Sequence, residues 1–329
     1  MLLRRLAYPS RLEDLEPEFG GRKACVLSSV INTTAQLIYG KIKDKMEFDQ
    51  RMVDRYHDRS ATAIFDKVGR LSNCFGFIDG TIRRICRPTY YQKQAYSGHK
   101  RTHCIKFQSV IMANGLIVGL CGPFEGRRHD SYMLRQSDLK TNMELYPGYV
   151  IYGDSGYPLK SWLITPFSRA APTEAELRFN RDLSKARIAV EWVFGWIARY
   201  WKFFDLKSNM MLYKSPVGLL YVVAAFLTNC LSCVRRRNQA SKYFRCKLPT
   251  LAIYLAGIDT NEEINEADYS SDENEDFFDD ESDLSSGDES GDGSESDAES
   301  ELDSEEEREM MLGGSDSSDA EDTGDVEVL

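Results

Sequence analysis

Three acidic side chains stand out because each lies in a strongly apolar stretch. Asp79 follows the apolar run 75–78, Asp154 follows another at 149–152, and Glu191 is surrounded by Ala, Val, Trp and Phe. An ionised carboxylate is costly to bury without a partner. Converging carboxylates suit a hard cation such as Mg²⁺ or Mn²⁺, which takes oxygen ligands. Two such ions about 3.5–4 Å apart can activate a water and stabilise the leaving oxygen in phosphodiester cleavage.

Each acid also has a structural alternative. The Asp-Gly-Thr run at 79–81 and the Asp-Ser-Gly run at 154–156 are typical of turns. Glu191 is correctly spaced to pair with Arg187, one helical turn earlier. Structural ion pairs perturb carboxylates as active sites do, so local sequence leaves both interpretations open.

The net charge divides the chain into two parts of opposite sign. The whole carries 41 Lys and Arg against 52 Asp and Glu, a net charge of −11. Residues 259–329 hold 31 acidic residues and one basic residue, a net of −30, which leaves +19 on the first 258. Such asymmetry suggests that the basic part contacts nucleic acid or a membrane. The acidic part has too little apolar surface to offset the entropy of ordering, which predicts a disordered tail.

The elements that would position the acids alternate between strands and helices. The first 70 residues are predicted to be helical, with helices at 11–19 and 22–39 around Gly20-Gly21. This is the outline of a helix-turn-helix, with simple helical packing as the alternative. Five short strands are predicted at 75–78, 82–86, 105–112, 116–120 and 149–152. Helices are predicted at 131–139 and at 184–204, the latter capped by Ser184 with Glu191 in its second turn. The order predicts a mixed sheet with packed helices.

Two further patterns bear on the class of protein. Eight cysteines are predicted to be reduced, and Cys230-x-x-Cys233 has no second Cys/His pair at zinc-finger spacing. The stretch 217–234 is uncharged for 18 residues, at the lower length limit for a membrane span. It contains several polar residues, and we favour a helix buried in a globular core.

Four motifs in order resemble the PIF/Harbinger superfamily of DDE transposases and transposase-derived nucleases. They are Phe77-Ile78-Asp79-Gly80-Thr81, Gly126-Arg127-Arg128-His129-Asp130-Ser131, Gly153-Asp154-Ser155-Gly156-Tyr157-Pro158 and Arg187-Ile188-Ala189-Val190-Glu191-Trp192-Val193-Phe194-Gly195. The resemblance covers residues 73–234. It implies an RNase H-like fold in which Asp79, Asp154 and Glu191 bind two divalent ions, with DNA as substrate and a nuclear location. His129 and Asp130 match a family motif and are a possible additional site; a helix cap at Asp130 or Ser131 is the alternative.

The sequence also departs from the family pattern. The family usually has a longer N-terminal segment, so truncation of the helix-turn-helix region is left open. A His commonly lies between Leu and Asn near the end of the catalytic domain, where this chain has Thr228. That difference does not put in doubt the predicted catalytic triad, which consists of Asp79, Asp154 and Glu191.

These inferences predict four segments within an α/β protein. A helical, helix-turn-helix-like region spans 1–70, an RNase H-like nuclease domain 73–234, a basic extension 235–258 and a disordered acidic tail 259–329. The predicted phosphate contacts are basic residues, whose alternative is an ordinary solvated face: Arg22, Lys23, Arg83, Arg84, Lys100, Arg101, Arg235, Arg236 and Arg237.

The predicted function is a DNA endonuclease or transposase that depends on Mg²⁺ or Mn²⁺. The alternative is a domesticated DNA-binding protein that kept the fold and lost catalysis. A third hypothesis gives the tail the central role, either through modification at Ser285 and Ser286 or through competition with DNA for the basic part. DNA is the expected partner, and no membrane is expected. A separate DNA-targeting protein and an oligomeric state are left open.

Overall fold

The centre of the fold is a mixed β-sheet with helices packed on it, as predicted. The computed structural model describes residues 1–258. The strands are β1 (Cys74–Arg84), β2 (Tyr96–Ser97), β3 (Thr102–Met112), β4 (Ile117–Glu125), β5 (Val150–Tyr152) and β6 (Leu163–Ile164). Their spatial order is β4-β3-β1-β5-β6, and β2 pairs with the start of β3. β4, β3 and β1 are antiparallel, whereas β5 and β6 run parallel to β1.

β1 runs without interruption through the segment where a turn is the alternative interpretation. Asp79 pairs with Ser109, and Thr81 pairs with Phe107 of β3. The two strands predicted at 75–78 and 82–86 are therefore one strand, and Asp79 lies inside it. Pairing with the long β3 and burial of Thr81 outweigh the local preference of Asp-Gly for turns.

The N-terminal region is helical, but its first part differs from the prediction. The helices are α1 (Leu2–Ala7), α2 (Ala24–Glu47) and α3 (Gln50–Val68). Between α1 and α2 the chain forms only one 3₁₀ turn, Glu13–Leu15, instead of a helix over 11–19. Gly20 and Gly21 both have φ near +70°, which ends any helical path before α2. α2 contacts β4, and α3 contacts β1.

The remaining helices surround the sheet. They are α4 (Gln92–Ala95), α5 (Asp130–Gln136), α6 (Leu139–Met143), α7 (Glu174–Tyr200), α8 (Val217–Arg235), α9 (Gln239–Phe244) and α10 (Leu251–Leu255). α7 begins ten residues before the predicted cap at Ser184, because Thr173 and Glu176 form a reciprocal capping box. Glu191 consequently lies in the fifth turn of α7 rather than in its second.

α8 is the long apolar helix of the core. It is the one helix within residues 1–258 whose length and hydropathy would allow a membrane span, with a mean hydropathy of 2.0. In this structure 72% of an 18-residue stretch of α8 is buried inside the protein. A core helix of a folded domain has the same composition, so the finding is weak support for a span. Tyr221 and Val223 of α8 are fully buried.

Two buried asparagines hold the β3–β4 hairpin from outside the sheet. The hairpin turns at Asn114-Gly115 as predicted, and Gly115 has φ +78°. Asn229 of α8 accepts from the Ile117 N–H at 3.1 Å and donates to the Ile117 carbonyl at 2.8 Å. Asn238, just before α9, donates to the Asn114 carbonyl at 2.8 Å. The turn is thus anchored by residues more than 100 positions later in the chain.

The predicted acidic tail, 259–329, lies outside the described residues, as do Ser285 and Ser286. The limits at residues 70, 73, 234 and 258 stay predictions.

Candidate active site

Strand register brings the first two acids of the predicted triad to the same level of the sheet. Phe77 of β1 is the partner of Tyr152 of the parallel neighbour β5. Asp79 and Asp154 each follow two residues later, so both come from the same end of the paired segment. Asp154 accepts a hydrogen bond from the Gly156 N–H at 3.0 Å, which fixes the loop after β5.

A third carboxylate, Asp130, lies beside the first two. A Cβ atom at Gly156 would be 3.1 Å from Asp130 Oδ2 and 3.3 Å from Asp154 Oδ1, so these two oxygens are no more than 6.4 Å apart. A Cβ atom at Gly80 would be only 2.9 Å from Asp130 Oδ1. The N-cap of α5 is His129, without a side-chain capping bond, so Asp130 does not serve as the predicted cap.

Arg187 is the cation that pairs with Asp79. Its guanidinium donates to Asp79 Oδ2 at 2.8 Å, and the Arg187 and Asp79 side chains are only 23% and 14% exposed. The alternative in which Arg187 pairs with Glu191 along the helix is not the arrangement in the structure. Arg187 lies inside the fourth sequence motif, but the motif does not reveal this contact, because the partner is 108 residues away.

The acids perturb one another. Burial raises the pKa of Asp79 to about 6, opposed by Arg187 and reinforced by the charges of Asp154 and Asp130. Burial, and then the charge of Asp154, raises the pKa of Asp130, while Lys106 opposes that shift. Groups that interact in this way share one small volume of low dielectric constant.

Tyr157, in the loop after β5, lies close enough to these acids for their charges to act on its hydroxyl. It is buried, and its hydroxyl has no hydrogen-bond partner within the described part of the chain. Burial, followed by the charges of Asp130, Asp79 and Asp154, raises its pKa well above the usual value. A protonated phenol beside three carboxylates can donate a hydrogen bond to an oxygen bound there. The Gly-Tyr-Pro part of the third motif was the only sequence signal for this residue.

Glu191 lies one helical turn after Arg187, on an exposed part of α7. It is not among the charges that shift the pKa of Asp79 or Asp130. The structure therefore brings together Asp79, Asp154 and the additional candidate Asp130, with Glu191 nearby along α7. His129 is exposed and adjoins Asp130.

The carboxylates offer the right kind of ligand for Mg²⁺ or Mn²⁺, since all their donor atoms are oxygens. Within residues 1–258, however, no group of three or more His, Cys, Asp and Glu side chains has metal-binding spacing. Arg187 occupies one oxygen of Asp79 instead. The donor chemistry fits a divalent ion, and the side chains would have to rearrange to hold one.

The basic residues predicted to contact phosphate have different surroundings. Arg83 is half-buried and donates to the Phe194 carbonyl and the Tyr221 hydroxyl, with its guanidinium over the Tyr221 ring. Arg236 is also half-buried. The exposed members of the set are Arg22, Lys23, Arg84, Lys100, Arg101, Arg235 and Arg237, of which Arg235 donates to Tyr200. The surface available to a polyanion is thus smaller than the sequence suggests.

Gly80→Ala should disturb the acid group without unfolding the protein. The new methyl group would collide with Asp130 Oδ1 at 2.9 Å, and a flexible carboxylate can move away. We expect any metal-dependent activity to fall about tenfold or more, because small displacements of catalytic groups are costly. Activity and melting temperature should be measured together.

Gly98→Ala is the matched control, because a Cβ atom there would have no neighbour within 4 Å and Gly98 has no positive φ. Equal activity of the two variants would show that the position of Asp130 does not matter.

Comparison with known families bears on this part of the chain. Residues 78–229 match the family described as "DDE superfamily endonuclease", which confirms the resemblance noted in the motifs. The matched segment contains Asp79, Asp130, Asp154 and Glu191.

The chain is also similar to "Protein ALP1-like" of Arabidopsis thaliana, with 23% identity over 155 residues. That similarity covers 42% of this chain and 38% of the relative, so the chain spans well under half of the relative's length. No solved structure matches the chain.

Proposed function

We propose that this protein is a DNA endonuclease of the DDE class, derived from a transposase and dependent on a divalent cation. The observation that carries the proposal is the convergence of Asp79 and Asp154 from two adjacent parallel strands, inside the segment that matches an endonuclease family. The strand order β4-β3-β1-β5-β6, with an acid on the central strand, supports an RNase H-like fold. The net charge of +19 on the first 258 residues supports a polyanionic substrate.

Asp79, Asp154 and Glu191 would hold Mg²⁺ or Mn²⁺, with Asp130 as an additional candidate. When bound, such ions activate a water and stabilise the leaving oxygen of the phosphodiester. The protein's own groups have three roles. The carboxylates supply negative charge in a partly desolvated volume, Arg187 compensates that charge before the ion arrives, and Tyr157 provides a hydroxyl donor.

The raised pKa of Asp79 predicts how metal affinity depends on pH. An ion competes with protons for this carboxylate, whose pKa is about 6. Above about pH 7 the group is ionised and affinity should be constant. Below pH 6 the affinity for Mn²⁺ should fall about tenfold per pH unit, because one proton must be displaced. Calorimetric titrations from pH 7.5 to pH 5 would measure the trend.

The Asp79→Asn variant is the control for weak Mn²⁺ binding elsewhere, including to residues 259–329. Ordinary carboxylates have pKa values near 4 and titrate at lower pH. The Mn²⁺ binding of the variant is subtracted from that of the unmodified protein. A remaining affinity that is unchanged down to pH 5 would contradict a role for Asp79 as a ligand.

The second candidate is a DNA-binding protein that no longer cleaves. It is favoured by two observations: the ion pair of Arg187 with Asp79, and the absence of a preformed metal group in residues 1–258. Both hypotheses keep DNA as the partner, and we propose the nucleus as the location in either case. A separate protein that targets the DNA site would be compatible with both.

Plasmid nicking distinguishes the two candidates. The intact protein, incubated with supercoiled plasmid and Mn²⁺, should produce open circles, and a chelator should stop the reaction. Binding to a DNA duplex is measured in parallel by fluorescence anisotropy at several salt concentrations. Tight, salt-sensitive binding without nicking would support the second candidate, whereas the absence of both would contradict both.

A further inference from the structure

An acidic cavity lies at a second place in the fold. It has a volume of about 300 Å³ and opens between the end of α2, the β3–β4 hairpin and the segment that joins α5 to α6. Asp44, Glu47 and Asp138 line it, and no Lys or Arg does so among the described residues. None of the carboxylates of the candidate active site contributes to its wall. An acidic cavity is unexpected within a part of the chain that carries a net charge of +19.

Gln108, in the wall of this cavity, has one polar atom without a hydrogen-bond partner in the described part of the chain. It is only 3% exposed, and its Nε2 donates to Ser137 Oγ at 3.2 Å. Ser137 uses its one hydrogen to donate to the Leu134 carbonyl at 2.9 Å, so its oxygen must accept from Gln108. That orientation leaves Gln108 Oε1 without a partner within the described chain. A buried amide oxygen without a donor is costly, and a ligand donor can relieve the cost.

The charges around the cavity are poorly balanced. Burial, and then the charges of Asp44 and Asp138, raises the pKa of Glu47. Burial, followed by the charges of Glu47 and Asp138, raises the pKa of the Cys121 thiol to about 11. Asp44 pairs with Lys43 at 4.0 Å, and both side chains are exposed. An exposed ion pair of that kind contributes little to stability.

The wall chemistry defines the size and type of ligand. Within residues 1–258, no three acids have metal-binding spacing as they stand, either here or at the candidate active site. Phe48, Val110 and Leu120 provide apolar surface next to the acids. We propose that this cavity binds a primary ammonium or guanidinium group carried on an aliphatic stem. The cationic head meets Glu47 and Asp138, and the stem lies on the apolar wall. The head can donate to Gln108 Oε1 once that buried amide turns toward the cavity. The proposal does not depend on DNA cleavage.

Two kinds of ligand contain such a cationic group on an aliphatic stem: a free polyamine, or a lysine or arginine side chain of a partner protein. Residue-resolved NMR of the full-length protein can separate them, with spermidine and N-acetyl-arginine amide as probes at 150 mM salt. We expect saturable shifts of the Gln108 side-chain amide and of the Cys121 and Ser137 backbone amides. Stronger binding of spermidine indicates a polyamine, and stronger binding of the arginine amide indicates a partner's side chain.

The double variant Glu47→Gln/Asp138→Asn tests the assignment. Both side chains are exposed, so the fold should persist, and each Kd should rise about tenfold as the acids are neutralised. Glu174→Gln/Asp182→Asn, on α7, makes the same change in charge away from the cavity and should leave each Kd unchanged. No saturable shift at the cavity, shifts confined to residues 259–329, or the same Kd in both double variants would each overturn the proposal.

Discussion

Asp79→Asn should abolish metal-dependent nicking while leaving the protein folded. The amide keeps the size of the side chain but removes the charge that a divalent ion requires. Loss of metal assistance is worth several kcal/mol, and each 1.4 kcal/mol is a factor of ten in rate, so we expect a fall of about 10³-fold or more. Asp154→Asn should have a similar effect, because the two acids converge from paired strands. Quantitative plasmid nicking with Mn²⁺ is the measurement.

Asp182→Asn is the matched control for these variants. Asp182 lies on α7, away from the two strands that carry these acids, and it pairs with Arg70. It should nick at the rate of the unmodified protein. Circular dichroism and melting curves establish that each variant is folded. A folded Asp79→Asn protein that nicks at full rate would eliminate the triad hypothesis.

The same assay identifies the third acid. The family resemblance implies Glu191, whereas the structure places Asp130 next to Asp154. If Glu191 moves in to complete the metal site, Glu191→Gln should be as damaging as Asp79→Asn. If Asp130 is a ligand, Asp130→Asn should be the more damaging of the two. Measurement of Mn²⁺ affinity for both variants separates ligation from other effects on rate.

Asn229→Ala should strongly destabilise the fold. Asn229 is 1% exposed and makes hydrogen bonds to both the N–H and the carbonyl of Ile117, and to the Tyr254 hydroxyl. Removing the side chain leaves these buried groups unsatisfied, at about 1–3 kcal/mol each. We expect the free energy of unfolding to fall by about 3 kcal/mol or more. Urea unfolding followed by tryptophan fluorescence would measure it.

Asn180 provides a control with the same type of contact in a different environment. Its side chain also bonds to both backbone groups of one residue, Phe167, but at the surface. Water can replace these bonds, so Asn180→Ala should cost less than about 1 kcal/mol. Similar losses in the two variants would show that burial is not what makes Asn229 important.

The sequence revealed the order of the site residues along the chain but not the contacts between them. The Asn114-Gly115 hairpin and the core helix 217–234 were predictable because turn chemistry and continuous hydrophobicity are local signals. Strand register is not local. The continuity of β1 through Asp79 and its alignment with β5 depend on pairing with segments far along the chain. The ion pair of Arg187 with Asp79 is hidden for the same reason.

Within the site, Asp130 illustrates the difference between what a local motif predicts and what the folded chain shows. The motif marked it as a candidate, and a helix cap was the simpler interpretation of an acid at that position. Its proximity to Gly80 and Gly156 arises because α5 lies against two glycines that leave room for its carboxylate. Only the packed structure shows that these glycines face the same acid.

Residues near position 240 and beyond help to anchor the β3–β4 hairpin, and this limits how far the expressed chain can be shortened. Residues 78–229 are the natural choice for an expressed fragment, because they match the endonuclease family. Such a fragment would lose Asn238, which binds the Asn114 carbonyl, and Tyr254, which binds Asn229. It would also lose α2 and α3, which cover β4 and β1. A recombinant protein intended for biochemistry should therefore keep residues 1–258 as its minimum length.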